Sequence, residues 1–371
     1  MSRFFQTYLL PGLVFQSVII GGGYGTGREI AQFFLSHGPL GGLFGLAVTA
    51  LAWGLMLSVA FEFARLSKGY DYRTFFSALI GPFWRVFEVL YLLIALLVLS
   101  VLGSAAGEMV SEGLGAPPVV GVLFLLGAVG ALAFFGGKVI ERALTAWSFV
   151  LYAVYGVFFF WVASRFGGAI TDALGEGEAS GAWAVDGVRY AAYNLIALGA
   201  VLFVLPYLKT RKEALISGFA AGAAGIIPAG FVFLALLSQY PAIQTEPVPV
   251  LSVLQALNSV WFLVVFQIVL FGTFVETGTG IVHAVNQRVA SALAEKNLGF
   301  PHWARLGIAA VMLGAAVYLA RAVGLIDLIA KGYGALSYAF IVVVVAPLLT
   351  VGVYKIAATK PNLAEAVSES R

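Results

Sequence analysis

The 371-residue chain contains no cysteine, only three histidines, and charged residues at 11% of its length. Without cysteine there is no disulfide, no thiolate metal site and no thiol nucleophile. His37, His283 and His302 are dispersed, and without thiolate help they do not assemble a transition-metal site. No serine–histidine–aspartate grouping falls inside an apolar segment, which argues against an intramembrane hydrolase and leaves no catalytic residue to name. The alternating apolar and polar pattern of a membrane β-barrel is missing as well. The 21 basic residues form no patch, so a net charge of +3 points to no nucleic-acid partner.

What the chain has is apolar surface: 61% hydrophobic residues and a mean hydropathy of +0.97. Soluble domains carry about 25% charged residues, whereas a membrane-spanning helix needs about 20 mostly apolar ones. The composition therefore specifies an all-α polytopic membrane protein, one transmembrane domain over residues 1–371, embedded in a lipid bilayer. Apolar runs between charged or Pro/Gly-rich breaks predict ten spans, near 8–36, 39–66, 83–112, 117–136, 140–164, 187–208, 212–238, 258–292, 303–323 and 326–353. The third and eighth are long enough to tilt.

Met1-Ser2-Arg3-Phe4-Phe5 runs into the first span without a cleavage-site pattern, so it reads as a cytoplasmic start. With the N-terminus inside, 16 basic residues fall in cytoplasmic segments, 3 (Arg165, Arg189, Arg321) in external loops, and Arg28 and Lys331 inside spans. The cytoplasmic set includes Lys138, Arg142, Lys360 and Arg371. This asymmetry predicts a multi-pass protein of the cytoplasmic membrane with both termini cytoplasmic. Segment 165–186 reads as a long, flexible external loop. Segment 240–257 carries three prolines and then an amphipathic stretch, either a lid over an external vestibule or a helix lying on the bilayer.

Five glycines occur in the seven residues Gly21-Gly22-Gly23-Tyr24-Gly25-Thr26-Gly27, followed at once by Arg28 and Glu29. Each glycine costs a helix roughly 1 kcal/mol relative to alanine. Close helix packing explains a single Gly-x-x-x-Gly pair, but not three consecutive glycines and an adjoining Arg-Glu pair. The first span is therefore predicted to break at membrane depth, where freed backbone groups must be buried in protein or line a wet cavity. A helix restarting near Gly27 would offer N–H groups to a substrate carboxylate. The carbonyls of Gly21, Gly22 and Tyr24 would suit a cation or an ammonium. A weaker break is expected in the sixth span around Ala197 and Gly199, with Phe203 just beyond as a further candidate for substrate contact.

Glu276 stands near the middle of the eighth span. A carboxylate at the bilayer centre costs roughly 2.5–3.5 kcal/mol even on insertion scales, so it must face the interior and be neutralised. Thr273, Glu276 and Thr277 share one helical face. With carbonyls from Gly21 and Tyr24 they would make an oxygen-only Na⁺ site, or the same carboxyl would carry a proton. Arg28 in the first span, paired with Asp327 of the tenth or Glu108 of the third, would form an external gate. Trp147, Tyr152 and Tyr155 read as packing residues of the fifth span.

Ten spans divide into five plus five, with repeats near 8–164 and 187–353. The first and sixth are the broken ones and the third and eighth the longest. An odd number per half requires an inverted repeat. Gly21 through Ile30, then Phe33-Phe34, and Tyr193-Asn194-Leu195 in the sixth span together resemble a group of small bacterial amino-acid permeases. That group belongs to the amino acid–polyamine–organocation superfamily. The resemblance implies the LeuT-type fold, first seen in a bacterial leucine transporter, with broken helices 1 and 6 and cation-coupled uptake. It implies carbonyl ligands from Gly21 and Tyr24, and it puts Glu276 and Thr277 where sodium-coupled relatives place adjacent hydroxyl residues. The glutamate departs from that pattern and leaves Na⁺ and H⁺ both open. The break also lacks an asparagine, and the apolar part of the fifth span lacks a lysine.

The expectation is thus a cation-coupled secondary transporter of a small zwitterion, an amino acid or amine, that needs no cofactor beyond the coupling ion. A ligand-sensing receptor built on the same fold is the alternative.

Overall fold

The structure, a computed structural model, describes residues 2–135, 138–294 and 296–359. Lys360 and Arg371 of the topology count lie outside the described residues, as do the side chains of Lys138 and Arg142. Among the described residues the secondary structure is entirely helical. Eight helices are long and apolar enough to cross a membrane, and two shorter apolar helices, Phe5–Ile19 and Pro118–Leu132, accompany them. In chain order these ten elements follow the ten predicted spans.

The long third and eighth spans are helices Trp84–Leu114 and Val260–Ala294. The first span is interrupted twice. Helix Leu10–Ile19 ends where Gly21 turns extended (φ −118°, ψ −154°). A short helix Gly22–Thr26 follows, and then Gly27 takes the left-handed conformation (φ 75°) before helix Arg28–Phe33. Glycine reaches that conformation without the steric cost other residues meet. The second span, Gly38–Ser67, follows directly.

The sixth span departs from expectation. It runs as one helical segment, Trp183–Tyr207, in which Leu195–Ala197 and Leu202–Tyr207 tighten to 3₁₀ turns while the backbone stays right-handed at Asn194, Ala197 and Val201. Gly199 stands alone there among good helix formers, so the helix changes its hydrogen-bond spacing instead of opening. Segment 165–186 is also corrected. The fifth helix, Lys138–Gly175, continues through it past a kink at Phe166. Phe166, Ile170 and Leu174 recur at helical spacing and pack on the core, which leaves only 176–182 to connect to the sixth span.

The first, second and seventh spans pack closely through small residues. A side chain on Gly222 of the seventh helix (Arg211–Leu237) would overlap the backbone of Gly54 in the second, the close approach small residues permit between membrane helices. A second apolar cluster, including Leu99, Val129, Val282 and Ala316, joins the third, fourth, eighth and ninth spans. Large apolar side chains such as Leu51, Leu55, Phe160 and Trp303 point outward, as a lipid-facing surface requires.

Candidate functional site

A cavity of about 690 Å³ runs between the first, third, fifth, sixth and eighth spans. Its inner end is formed by Ile20, at the first interruption, with Thr273, Glu276 and Thr277. Its mouth is formed by Tyr72, Phe203, Arg288 and Ser291, on the face that also carries Lys68, Arg73 and Lys296 in adjoining sequence. Phe203 is 65% exposed and Ser291 is exposed, so the cavity opens at this basic face.

The structure brings the glycine break and the eighth span together. A Cβ placed on Gly21 would stand 3.6 Å from Thr277 Cγ2, an ordinary contact, whereas one on Gly25 would overlap Leu270. Thr273 donates to the Val269 carbonyl (2.9 Å), which keeps its lone pairs available as acceptors. The carbonyls of Gly21 and Tyr24 each accept one backbone bond, from Gly25 and Gly27 N–H groups (both 3.0 Å), so a cation there would use their second lone pairs. Tyr152 lines the cavity beside Glu276, and Tyr155 donates to the Gly25 carbonyl (3.3 Å). Tyr152 thus borders the cavity, and Tyr155 braces the glycine break.

Other sequence-named residues sit elsewhere. Gly199 lines the cavity, but Ala197 is buried away from it. Thr26 Oγ1 accepts the Arg28 N–H (3.2 Å) and donates to Gly23 O (3.2 Å), so the second helix restart is capped from within. Arg28 forms no ion pair with Asp327 or Glu108. Its guanidinium donates to the carbonyls of Gln244 (2.7 Å) and Glu246 (2.9 Å), while Asp327 pairs with Lys331 (2.8 Å). The expected gate between side chains is instead a clamp on backbone. An i, i+4 lysine is the nearer partner for Asp327, and the two loop carbonyls both accept from the Nη1 of Arg28.

That loop is the segment read as either lid or surface helix. Its helix Pro249–Ala256 turns Val250, Leu251, Val253 and Leu254 into the protein. Val250 lies so close to Gly27 that a Cβ there would stand 2.9 Å from its methyl group. Gln244 Nε2 also donates to the Leu35 carbonyl (3.0 Å). The helix therefore covers the second interruption on the face away from the cavity mouth.

Beneath this lid lies a carboxylate that sequence reasoning placed beside Arg28 without giving it a part. Glu29 is 6% exposed, and Tyr193 Oη of the sixth span donates to its Oε2 (2.7 Å). Its Oε1 packs against Gly23, where any Cβ would overlap it. The Tyr193 ring stacks on Tyr333 of the tenth span (centroids 4.8 Å apart, planes 12° apart). The signal in the sequence was its unbroken adjacency to the glycine run.

At the cavity mouth, Arg288 lies between the rings of Tyr72 (3.7 Å) and Tyr91 (3.5 Å) and pairs with Glu88 of the third span (2.6 Å). Such stacking and pairing use the planar guanidinium fully.

No family model matches the chain. It is 25% identical over 347 residues to an "Uncharacterized membrane protein YkvI" of Bacillus subtilis (strain 168), covering 88% of this chain and 92% of that one. Among solved structures it resembles MhsT in complex with L-phenylalanine, with a TM-score of 0.51, 15% identity, and coverage of 96% of this chain and 88% of the other. The fold is of the LeuT type. The chain is a multi-pass membrane protein of that fold.

Proposed function

We propose that the chain is a secondary transporter of the cytoplasmic membrane. It would carry a small zwitterionic solute, an amino acid or related amine, by alternating access coupled to Na⁺ or H⁺. The observation that carries this reading is the cavity. It is open at the basic face, ends at the first-span break beside Glu276, and is sealed on the opposite face by the Arg28 clamp, the lid and the Glu29–Tyr193 contact. By the positive-inside rule the open face would be cytoplasmic, which supports reading this arrangement as the inward-open state of an alternating-access cycle. A volume of about 690 Å³ suits a small molecule with its water. MhsT, of the same fold, has L-phenylalanine bound, which favours an amino-acid-sized solute.

The solute would lie against Ile20, Gly21 and Gly199. The cation would lie between Glu276, Thr273, Thr277 and the second lone pair of the Gly21 carbonyl. Glu276 is the natural coupling group because it is a carboxylate lining the inner end of the cavity, from which a released cation would reach water through the open mouth. The two halves would be five-span inverted repeats, with the bundle of spans one, two, six and seven rocking against the rest.

Purified protein in proteoliposomes, offered labelled amino acids and amines under imposed Na⁺ and pH gradients, tests this. Accumulation above equilibrium under one gradient is expected. Binding without accumulation under any gradient would instead assign a ligand-sensing receptor.

A further inference from the structure

We propose that Glu29 is a proton-binding latch that closes the outer half of the molecule only when it is protonated. The latch rests on the alternating-access reading for its opening motion, but not on the identity of the solute. Among the described residues two carboxylates of the spans are almost fully buried, Glu29 and Glu62, and they are treated differently. Glu62 is held by two hydrogen bonds from Arg65 (2.8 and 2.9 Å). Glu29 forms no ion pair with a lysine, arginine or histidine among the described residues, and it accepts one hydrogen bond, from Tyr193. A buried carboxylate with no cation and one donor is strongly disfavoured, so a cation must accompany it. Gly23 packs against Oε1 on one side, and no further acid or histidine gathers with Glu29 into a metal-holding group among the described residues. A proton needs no such group.

The charged and titratable groups around it fit this assignment. Tyr24, Tyr190 and Tyr333 are buried near the carboxyl with Tyr193, and tyrosines supply no compensating charge. On the packed elements, Asp186 is engaged by His37 and Arg189. Lys331 holds Asp327, and Arg28 turns its Nη1 to the carbonyls of Gln244 and Glu246 and forms no ion pair with Glu29. Arg211, Lys212 and Glu213 stand at the far end of the seventh helix.

The position says what the proton does. Glu29 is not part of the cavity wall, so in this state its proton does not exchange through the cavity. Closing the outer half takes one proton from the outer water onto the carboxylate, and reopening returns it there. The proton is therefore a gate and not a transported coupling ion. The closed state holds the proton and the open state exposes the carboxylate to water. Raising pH thus favours opening, and lowering it favours closure.

The chain has no cysteine, so two spin labels can be placed without background, at Gln255→Cys on the lid and Ile326→Cys on the tenth span. Attached before the titration, they report the outer distance by pulsed EPR. The closed-distance population should fall as pH rises. Glu29→Gln, a neutral mimic of the protonated acid, should keep it closed at every pH. Infrared difference spectra of the same protein should show a protonated-carboxyl band that is lost in Glu29→Gln and shifted in Tyr193→Phe. The Tyr193 variant retains the acid and so covers the case in which Glu29→Gln fails to fold. A pH-independent distance, a titration that survives Glu29→Gln, or no Glu29 carboxyl band would each overturn the latch. Failure of uptake with every solute would overturn the transport reading alone, because neither spectroscopic measurement needs transport.

Discussion

Tyr193 of the sixth span donates a 2.7 Å hydrogen bond to Glu29 of the first, and its ring lies flat on Tyr333 of the tenth. One tyrosine thus ties three spans together on the side away from the cavity mouth. Tyr193→Phe removes the donor and leaves Glu29 Oε2 buried without a partner. The expected cost is roughly 1–3 kcal/mol, read as a lower thermal midpoint in detergent. Tyr333→Ala removes the stack and should cost a further share, since aromatic pairs contribute roughly 0.5–1.5 kcal/mol beyond burial. An unchanged midpoint in Tyr193→Phe would mean that the bond does not hold the outer half.

The glycines of the break should differ sharply in tolerance. Gly21→Ala puts a methyl group 3.6 Å from Thr277 Cγ2, and the protein should fold with near-native stability. Gly23→Ala drives a methyl group into Glu29 Oε1, so the carboxyl must leave its place. Expression and monodispersity in detergent should fall for Gly23→Ala and hold for Gly21→Ala, and the reverse order would refute the placement of Glu29.

Glu276→Gln keeps the shape of the cavity end and removes its charge. Accumulation driven by the coupling gradient should drop at least about tenfold, the equivalent of roughly 1.4 kcal/mol, while solute exchange without a gradient persists. Wild-type accumulation in this variant would remove Glu276 from the coupling site.

Arg28→Ala should release the lid, because both loop carbonyls lose their donor. Limited proteolysis between residues 240 and 257 should then become faster. Asp327→Asn should leave that cleavage rate unchanged, since Asp327 pairs with Lys331 and not with Arg28. Equal effects from the two substitutions would restore the ion-pair gate.

At the cavity mouth, Arg288→Lys keeps the charge but loses the planar fit between Tyr72 and Tyr91. It should destabilise the protein by about 1 kcal/mol, near the range of exposed to desolvated cation–π contacts. Glu88→Gln combined with Arg288→Gln should cost less than the two single changes summed, because each single change strands a partly buried charge.

Much of the scaffold was legible in the chain because a bilayer imposes simple demands. Apolar runs of spanning length marked ten elements, and the glycine run marked a helix that could not continue. The same rules misread 165–186, where scattered charges and glycines concealed Phe166, Ile170 and Leu174 at helical spacing. They also overstated the sixth-span break, because a single Gly199 loosens a helix without opening it.

The sequence alone determined that this protein lives in a membrane, that its first span breaks near Gly21, and that Glu276 must be neutralised at bilayer depth. These follow from local propensity and from the cost of charge in hydrocarbon, and neither depends on a neighbour. Only the tertiary structure decided which side chains meet. It set Gly21 against Thr277, turned Arg28 to loop carbonyls instead of Asp327, and buried Glu29 under Tyr193. Those pairings join residues more than a hundred positions apart, and a side chain's partner there is fixed by helix packing, on which the order of residues along the chain is silent.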